Sequence, residues 1–104
     1  MFFIKFDKTI DEVKEAIDHN EQVLIIDVRE EDEYDAGHLP KALLYPLSTF
    51  DKDLYKLPKD KDLYVYCRSG QRARSATRKL REAGYERVYN IGGIIHWPYE
   101  TESR

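Results

Sequence analysis

The run Val23-Leu24-Ile25-Ile26 is the stretch that most restricts what this chain can become. It is continuously apolar and rich in β-branched residues rather than alternating, which is the pattern of a strand covered on both faces, and such strands belong to parallel sheets flanked by helices. The run stops at Asp27-Val28-Arg29. In open α/β sheets functional groups collect beyond the carboxyl ends of the strands, so Asp27 stands where a site can be built. Segments on either side alternate between the two periodicities. Residues 2–6 read as a short first strand, and Thr9 followed by Glu12 is a capping-box signature. Ile10, Val13, Ala16 and Ile17 then share one helical face up to His19-Asn20. Residues 29–37 read as a short acidic helix stopped by Gly37, with Arg29 and Glu33 spaced to pair across one turn. Residues 42–45 read as a short buried strand ended by Pro46, and Ser48 as the cap of a helix carrying Phe50, Leu54 and Leu57. Residues 63–66 and 88–91 are further strands; between them Ala73, Ala76, Thr77, Leu80 and Ala83 recur at helical spacing before Gly84. The alternation specifies an α/β domain with a parallel sheet covered on both faces.

A chain of 104 residues is the size of one compact domain, and residues 1–104 are read as one. A net charge of -3 gives no general affinity for nucleic acid or anionic membrane, and no apolar run reaches the roughly 20 residues that a membrane span needs. Residues 1–7 are too soon interrupted by charge for a secretory core, and a lone cysteine does not make a disulfide framework. The expected setting is therefore a reducing cytoplasm, with no metal and no cofactor. The 8 tyrosines and Trp97 lack the interleaved lysines of a base-stacking platform and are assigned to core and half-buried positions.

The chemistry concentrates at Cys67, the single cysteine, which follows the strand at residues 63–66 and precedes Arg68-Ser69-Gly70-Gln71-Arg72 and a helix. A thiol at a helix N-terminus, near guanidinium groups and inside a loop of inward-pointing N–H groups is expected to be acidic and nucleophilic. A buried, inert cysteine is the alternative, but two guanidiniums are poor core neighbours and good anion ligands. Arg68 and Arg72 are thus candidate anion ligands, with Ser69, Gly70 and Gln71 forming the cradle. Arg74, Arg78 and Arg81 recur along one face of the following helix and read as its solvated side. His38 precedes Leu39-Pro40 in a loop that reads as structural rather than as a general base.

The stretch CRSGQR after a strand, together with Asp27-Val28-Arg29, Glu33-Tyr34, Gly37-His38-Leu39-Pro40 and Gly92-Gly93-Ile94, resembles the single-domain rhodanese (thiosulfate sulfurtransferase) family. The matches occur in the family's order over residues 23–97. Two residues depart from the pattern, Lys41 where the family usually has glycine and Leu44 where a small polar residue is common. The resemblance implies a single rhodanese-like domain with a five-stranded parallel sheet. It implies a sulfurtransferase in which Cys67 attacks the outer sulfur of thiosulfate or a similar small anionic donor held by Arg68 and the loop N–H groups. Sulfite leaves, and a persulfide remains for an external acceptor: cyanide in an assay, a thiol or a protein in the cell. The acceptor must be external because the chain has no second cysteine. Four residues separate Cys67 from Arg72, one fewer than in the phosphatase loop, which in this family goes with sulfur transfer. A non-catalytic interaction or sulfur-carrier module is the alternative, and a phosphatase or arsenate reductase stands third. Arg72 closes the loop and is expected to bond loop carbonyls or a carboxylate such as Asp27.

Overall fold

Successive side chains of a strand point to opposite faces, and here that alternation sorts the apolar residues into two cores. In the computed structural model, which describes residues 6–104, four strands form one parallel sheet. They are β1 (Val23–Asp27), β2 (Leu43–Leu44), β3 (Asp62–Cys67) and β4 (Val88–Gly93), in the order β2-β1-β3-β4. The five-strand expectation counted residues 2–6 as the first strand; residues 1–5 lie outside those described, and among the described residues the sheet has four strands.

Ile26 and Val28 with Leu63, Val65 and Cys67 enter one core, where they meet Phe50, Ala73, Ala76 and Leu80. The alternate residues Ile25, Tyr64 and Tyr66 enter the other core with Val13, Ala16, Ile17 and Leu39. Helix α1 (Ile10–His19) covers this second face. Its start is fixed as the sequence specifies, the Thr9 side chain accepting from the Glu12 N–H while the Glu12 carboxylate accepts from the Thr9 N–H. Helix α2 (Glu31–Ala36) follows β1 and ends at Gly37. The first face is covered by α3 (Phe50–Asp53) and α4 (Gln71–Glu82). The small Ala73 and Ala76, both fully buried, let α4 lie close on β3 and β4, and Leu80 closes the core at about 1.5–3 kcal/mol for a side chain of its size.

Three local expectations are corrected. Arg29 does not pair with Glu33; it folds back on Asp27, its Nη2 donating to Asp27 Oδ2 at 2.8 Å, because its position just before α2 keeps its side chain buried beside β1. The helix expected from Ser48 is broken into 3-10 turns at Leu47–Thr49 and Leu54–Lys56 around the single turn of α3. Ser48 caps nothing there, since its hydroxyl donates to Glu30 Oε1 at 2.6 Å. The tight turns between Pro46 and Pro58 still bury Phe50, Leu54 and Leu57. Finally, β2 is only two residues long and Leu43 is largely exposed, as befits the edge of a sheet. No helix among the described residues is long and apolar enough to cross a membrane.

Candidate active site

The parity of β3 decides where the thiol points. Tyr66 faces the α1 side, so Cys67, one residue later, faces the α4 side. The strand ends there and the chain turns through Arg68, Ser69 and Gly70 into the first turn of α4. Gly70 makes the turn at φ 109°, a left-handed conformation that a side chain would strain. As a result the Gly70 N–H donates to Cys67 Sγ at 3.0 Å and the Ala73 N–H, in the first turn of α4, donates at 3.4 Å. These two N–H groups and the N-terminal end of α4 converge on the sulfur in the manner of an anion-binding nest. Cys67 is only 1% exposed and lies at the floor of the loop.

The loop is held from below and from both sides. Beneath it, a Cβ on Gly93 would lie 1.9 Å from the Arg68 carbonyl oxygen, so only glycine lets the loop rest on β4. The Ile95 N–H donates to that same carbonyl at 3.3 Å. Asn90 braces the turn: its Nδ2 donates to Gly70 O at 3.1 Å while its Oδ1 accepts from Gly92 N–H at 2.8 Å across an irregularity in the β3/β4 register. On the other flank Arg72 makes a two-pronged pair with Glu33 of α2, Nη1 to Oε1 at 2.7 Å and Nη2 to Oε2 at 2.9 Å. The Arg72 hydrogen bonds hold the Glu33 carboxyl well below its ordinary range, at about 2.

Of the expected site residues, the structure gathers Cys67, Ser69, Gly70, Gln71 and Arg72 around one turn, with Ser69 half-buried and Gln71 exposed. Arg68 is exposed, and its side chain has no hydrogen bond or ion pair among the described residues. Arg72 does bond a carboxylate, but it is Glu33 and not Asp27. Asp27 is fully buried on the opposite face of the sheet, where it accepts from Arg29 and, at 2.6 Å, from the hydroxyl of Tyr66. Burial and the Asp27 carboxylate push the Tyr66 hydroxyl far above its ordinary range, so it remains a donor. Asp27 is thus linked to the loop only through Tyr66, the residue preceding Cys67. His38 is structural as well: it is stacked on Tyr34 with ring centroids 3.7 Å apart, and its Nδ1 lies 2.7 Å from Tyr34 O. Sequence reasoning missed Asn90 and Glu33 as braces of the loop. A lone polar residue before Gly92-Gly93 was the available signal for the first. Among the described residues no group of His, Cys, Asp and Glu that could hold a metal is assembled.

A family model described as "Rhodanese-like domain" matches residues 9–98. The chain is 42% identical over 78 residues to a "Sulfurtransferase" of Allochromatium vinosum, covering 74% of this chain and 73% of that protein. It is 32% identical over 95 residues to the "Putative sulfur carrier protein YrkF" of Bacillus subtilis, where the match covers 90% of this chain but spans only 51% of the relative. Among solved structures, a rhodanese-like domain protein from Staphylococcus aureus superposes with a TM-score of 0.81 at 31% identity, covering 92% of this chain and 95% of the other.

Proposed function

Because the chain belongs to the rhodanese-like domain family, we propose that it is a sulfurtransferase that carries sulfane sulfur as a persulfide on Cys67. The observation that carries the proposal is the convergence of the Gly70 and Ala73 N–H groups on Cys67 Sγ. In the first half-reaction the Cys67 thiolate attacks the outer sulfur of thiosulfate. The new S–S bond forms as the donor's own S–S bond breaks, and sulfite departs with the electron pair of that bond. The anionic persulfide left on Cys67 is stabilised by N–H groups fixed in place before the reaction begins. In the second half-reaction an external thiolate, or cyanide in an assay, attacks the outer sulfur, and the electron pair returns to Cys67 as thiolate. Arg68, exposed beside the loop, is the residue available to hold a doubly charged donor, while Arg72 is already engaged by Glu33. A charge-assisted contact is worth about 1.5–3 kcal/mol. Arg68→Ala should therefore lower kcat/KM for thiosulfate about ten-fold to a hundred-fold, mainly through KM.

The loop of four residues between Cys67 and Arg72, one fewer than in the phosphatase loop, supports sulfur transfer over phosphate or arsenate chemistry. A reducing cytoplasm would keep the lone thiol available. The similarity to a protein named as a sulfur carrier favours a second reading, in which Cys67 loads sulfur for a protein acceptor without turnover on small molecules. One experiment separates the readings: thiosulfate-to-cyanide transfer measured beside a generic phosphatase assay on the same preparation. Thiocyanate formation is the expected result. Loading of Cys67 without turnover points to the carrier, and phosphatase turnover without thiocyanate overturns both.

A further inference from the structure

Elsewhere in the chain cations and acids are interspersed, and several pair with near neighbours. Just before α1, Lys8 faces Glu12, and on α1 Lys14 pairs with Asp18 one turn away; on α2, Glu33 meets Arg72 while Arg104 reaches Glu31 and Asp35. The segment from Arg68 to Arg81 is different. It carries Arg68, Arg72, Arg74, Arg78, Lys79 and Arg81 with no acidic residue, in a chain whose net charge is -3. Arg72 and Lys79 are taken up by Glu33 and Asp51. Arg78 and Arg81 approach Glu82 and Asp7 only to 3.8 Å, and the Arg78 and Glu82 side chains are each 71% exposed. Arg68 and Arg74 are exposed and have no ion pair among the described residues. Arg74 and Arg78 are four residues apart and so share one face of α4. The strip also begins at the loop, because the Arg74 N–H bonds Gly70 O at 3.0 Å in the first turn.

We propose that Arg68, Arg74 and Arg78 form a docking strip for an acidic protein segment that carries the thiol exchanging sulfur with Cys67. The proposal rests on the sulfur-transfer reading and adds the class of partner. A thiosulfate ion needs only the loop and one guanidinium, whereas the strip runs on along α4 for more than another helical turn, about 6 Å between Arg74 and Arg78. Exposed guanidiniums are matched to carboxylates, which they bind two-pronged. A few carboxylates gain this attraction locally, while a long polyanion such as RNA meets the repulsion of the remaining acidic surface. Charges placed at the rim of a reactive centre speed productive encounter and select partners more than they add affinity.

The test uses two short cysteine peptides, one rich in glutamate and one rich in lysine, each also made with serine in place of cysteine and a fluorophore. Anisotropy at low ionic strength reads binding of the serine forms to the unmodified protein; the cysteine forms report removal of sulfur from the persulfide. The acidic peptide should bind and react about ten-fold better than the basic one, a preference that salt weakens. Arg74→Glu/Arg78→Glu should abolish that preference and leave thiocyanate formation from thiosulfate and cyanide unchanged. Arg74→Gln/Arg78→Gln repeats the test with less perturbation of the helix. Equal binding of the two peptides, or a preference that survives both double variants, overturns the proposal, as does an oligouridylate that displaces the acidic peptide. If no persulfide forms, the parent reading fails, while the serine peptides still decide whether the strip binds an acidic segment.

Discussion

Tyr66 and Cys67 are neighbours in the chain and occupy opposite worlds. Behind the sheet, the Tyr66 hydroxyl donates to Asp27, accepts from the Leu39 N–H at 3.0 Å, and joins a buried carboxylate that Arg29 grips through Nε and Nη2. In front of it, Cys67 Sγ receives two N–H donors and nothing else polar. Every group behind the sheet is satisfied by another side chain or by backbone, so removing one leaves a buried partner exposed to the full cost of desolvation. In front, the donors belong to a backbone that is held by Gly93, Asn90 and the Arg72–Glu33 pair, so the sulfur can change without disturbing what holds it. The difference separates two neighbouring side chains of one strand: Tyr66 is tied into a buried polar network, while Cys67 Sγ meets only backbone N–H groups.

The strongest challenge to this division is Arg29→Met, which leaves the fully buried Asp27 without its cation. We expect a loss of about 3–5 kcal/mol, read from chemical denaturation, because orphaning a buried charge costs far more than an intact pair contributes. A loss below about 1 kcal/mol would mean that the buried network does not anchor β1 to β3.

Glu33 tests the bracing of the front face. Its folded value of about 2 lies below the ordinary 4.5, so its stabilisation is complete above about pH 4.5 and is lost as the pH falls toward 2. Allowing for partial exposure, the contribution is about 1–2 kcal/mol. Glu33→Gln should lower stability at neutral pH by that amount and flatten the acid limb between these values. An unchanged acid limb would show that the Arg72–Glu33 pair is not what ties α2 to the loop.

The smallest effect concerns the back loop, where Lys41 sits at φ 67°. This is the left-handed region in which glycine is unstrained, and it explains the glycine usual at this position in the family the sequence resembles. Lys41 offsets part of the strain by donating through Nζ to Ile17 O at 2.7 Å, near the negative end of α1. Both Lys41→Gly and Lys41→Ala lose that bond, so their difference isolates the backbone term: the glycine variant should be the more stable by about 1 kcal/mol. Equal midpoints in thermal unfolding would remove the strain argument.

What the chain disclosed on reading was whatever is written locally. The Thr9/Glu12 capping box, the β-branched run of β1, the placement of Cys67 between a strand and a helix, and the structural role of His38 all depend on residues a few positions apart. What it withheld depends on the folded approach of distant segments. Glu33 and Arg72 are 39 residues apart, and only the packing of α2 against the loop brings them together. Helical spacing alone pairs Arg29 with Glu33, but its position before the first turn of α2 sends it to Asp27 instead. The brace from Asn90 depends on a register irregularity in β4 that no periodicity announces.

The central claim, that the Cys67 side chain carries the chemistry and little of the stability, is tested most directly by Cys67→Ser. The protein and the variant are treated with thiosulfate, their intact masses are measured, and their unfolding midpoints are compared. The account predicts one added sulfur atom on the wild type, none on the variant, and stabilities within about 1 kcal/mol of each other, the substitution removing little volume. An added sulfur on the serine variant, or its failure to fold, would contradict it.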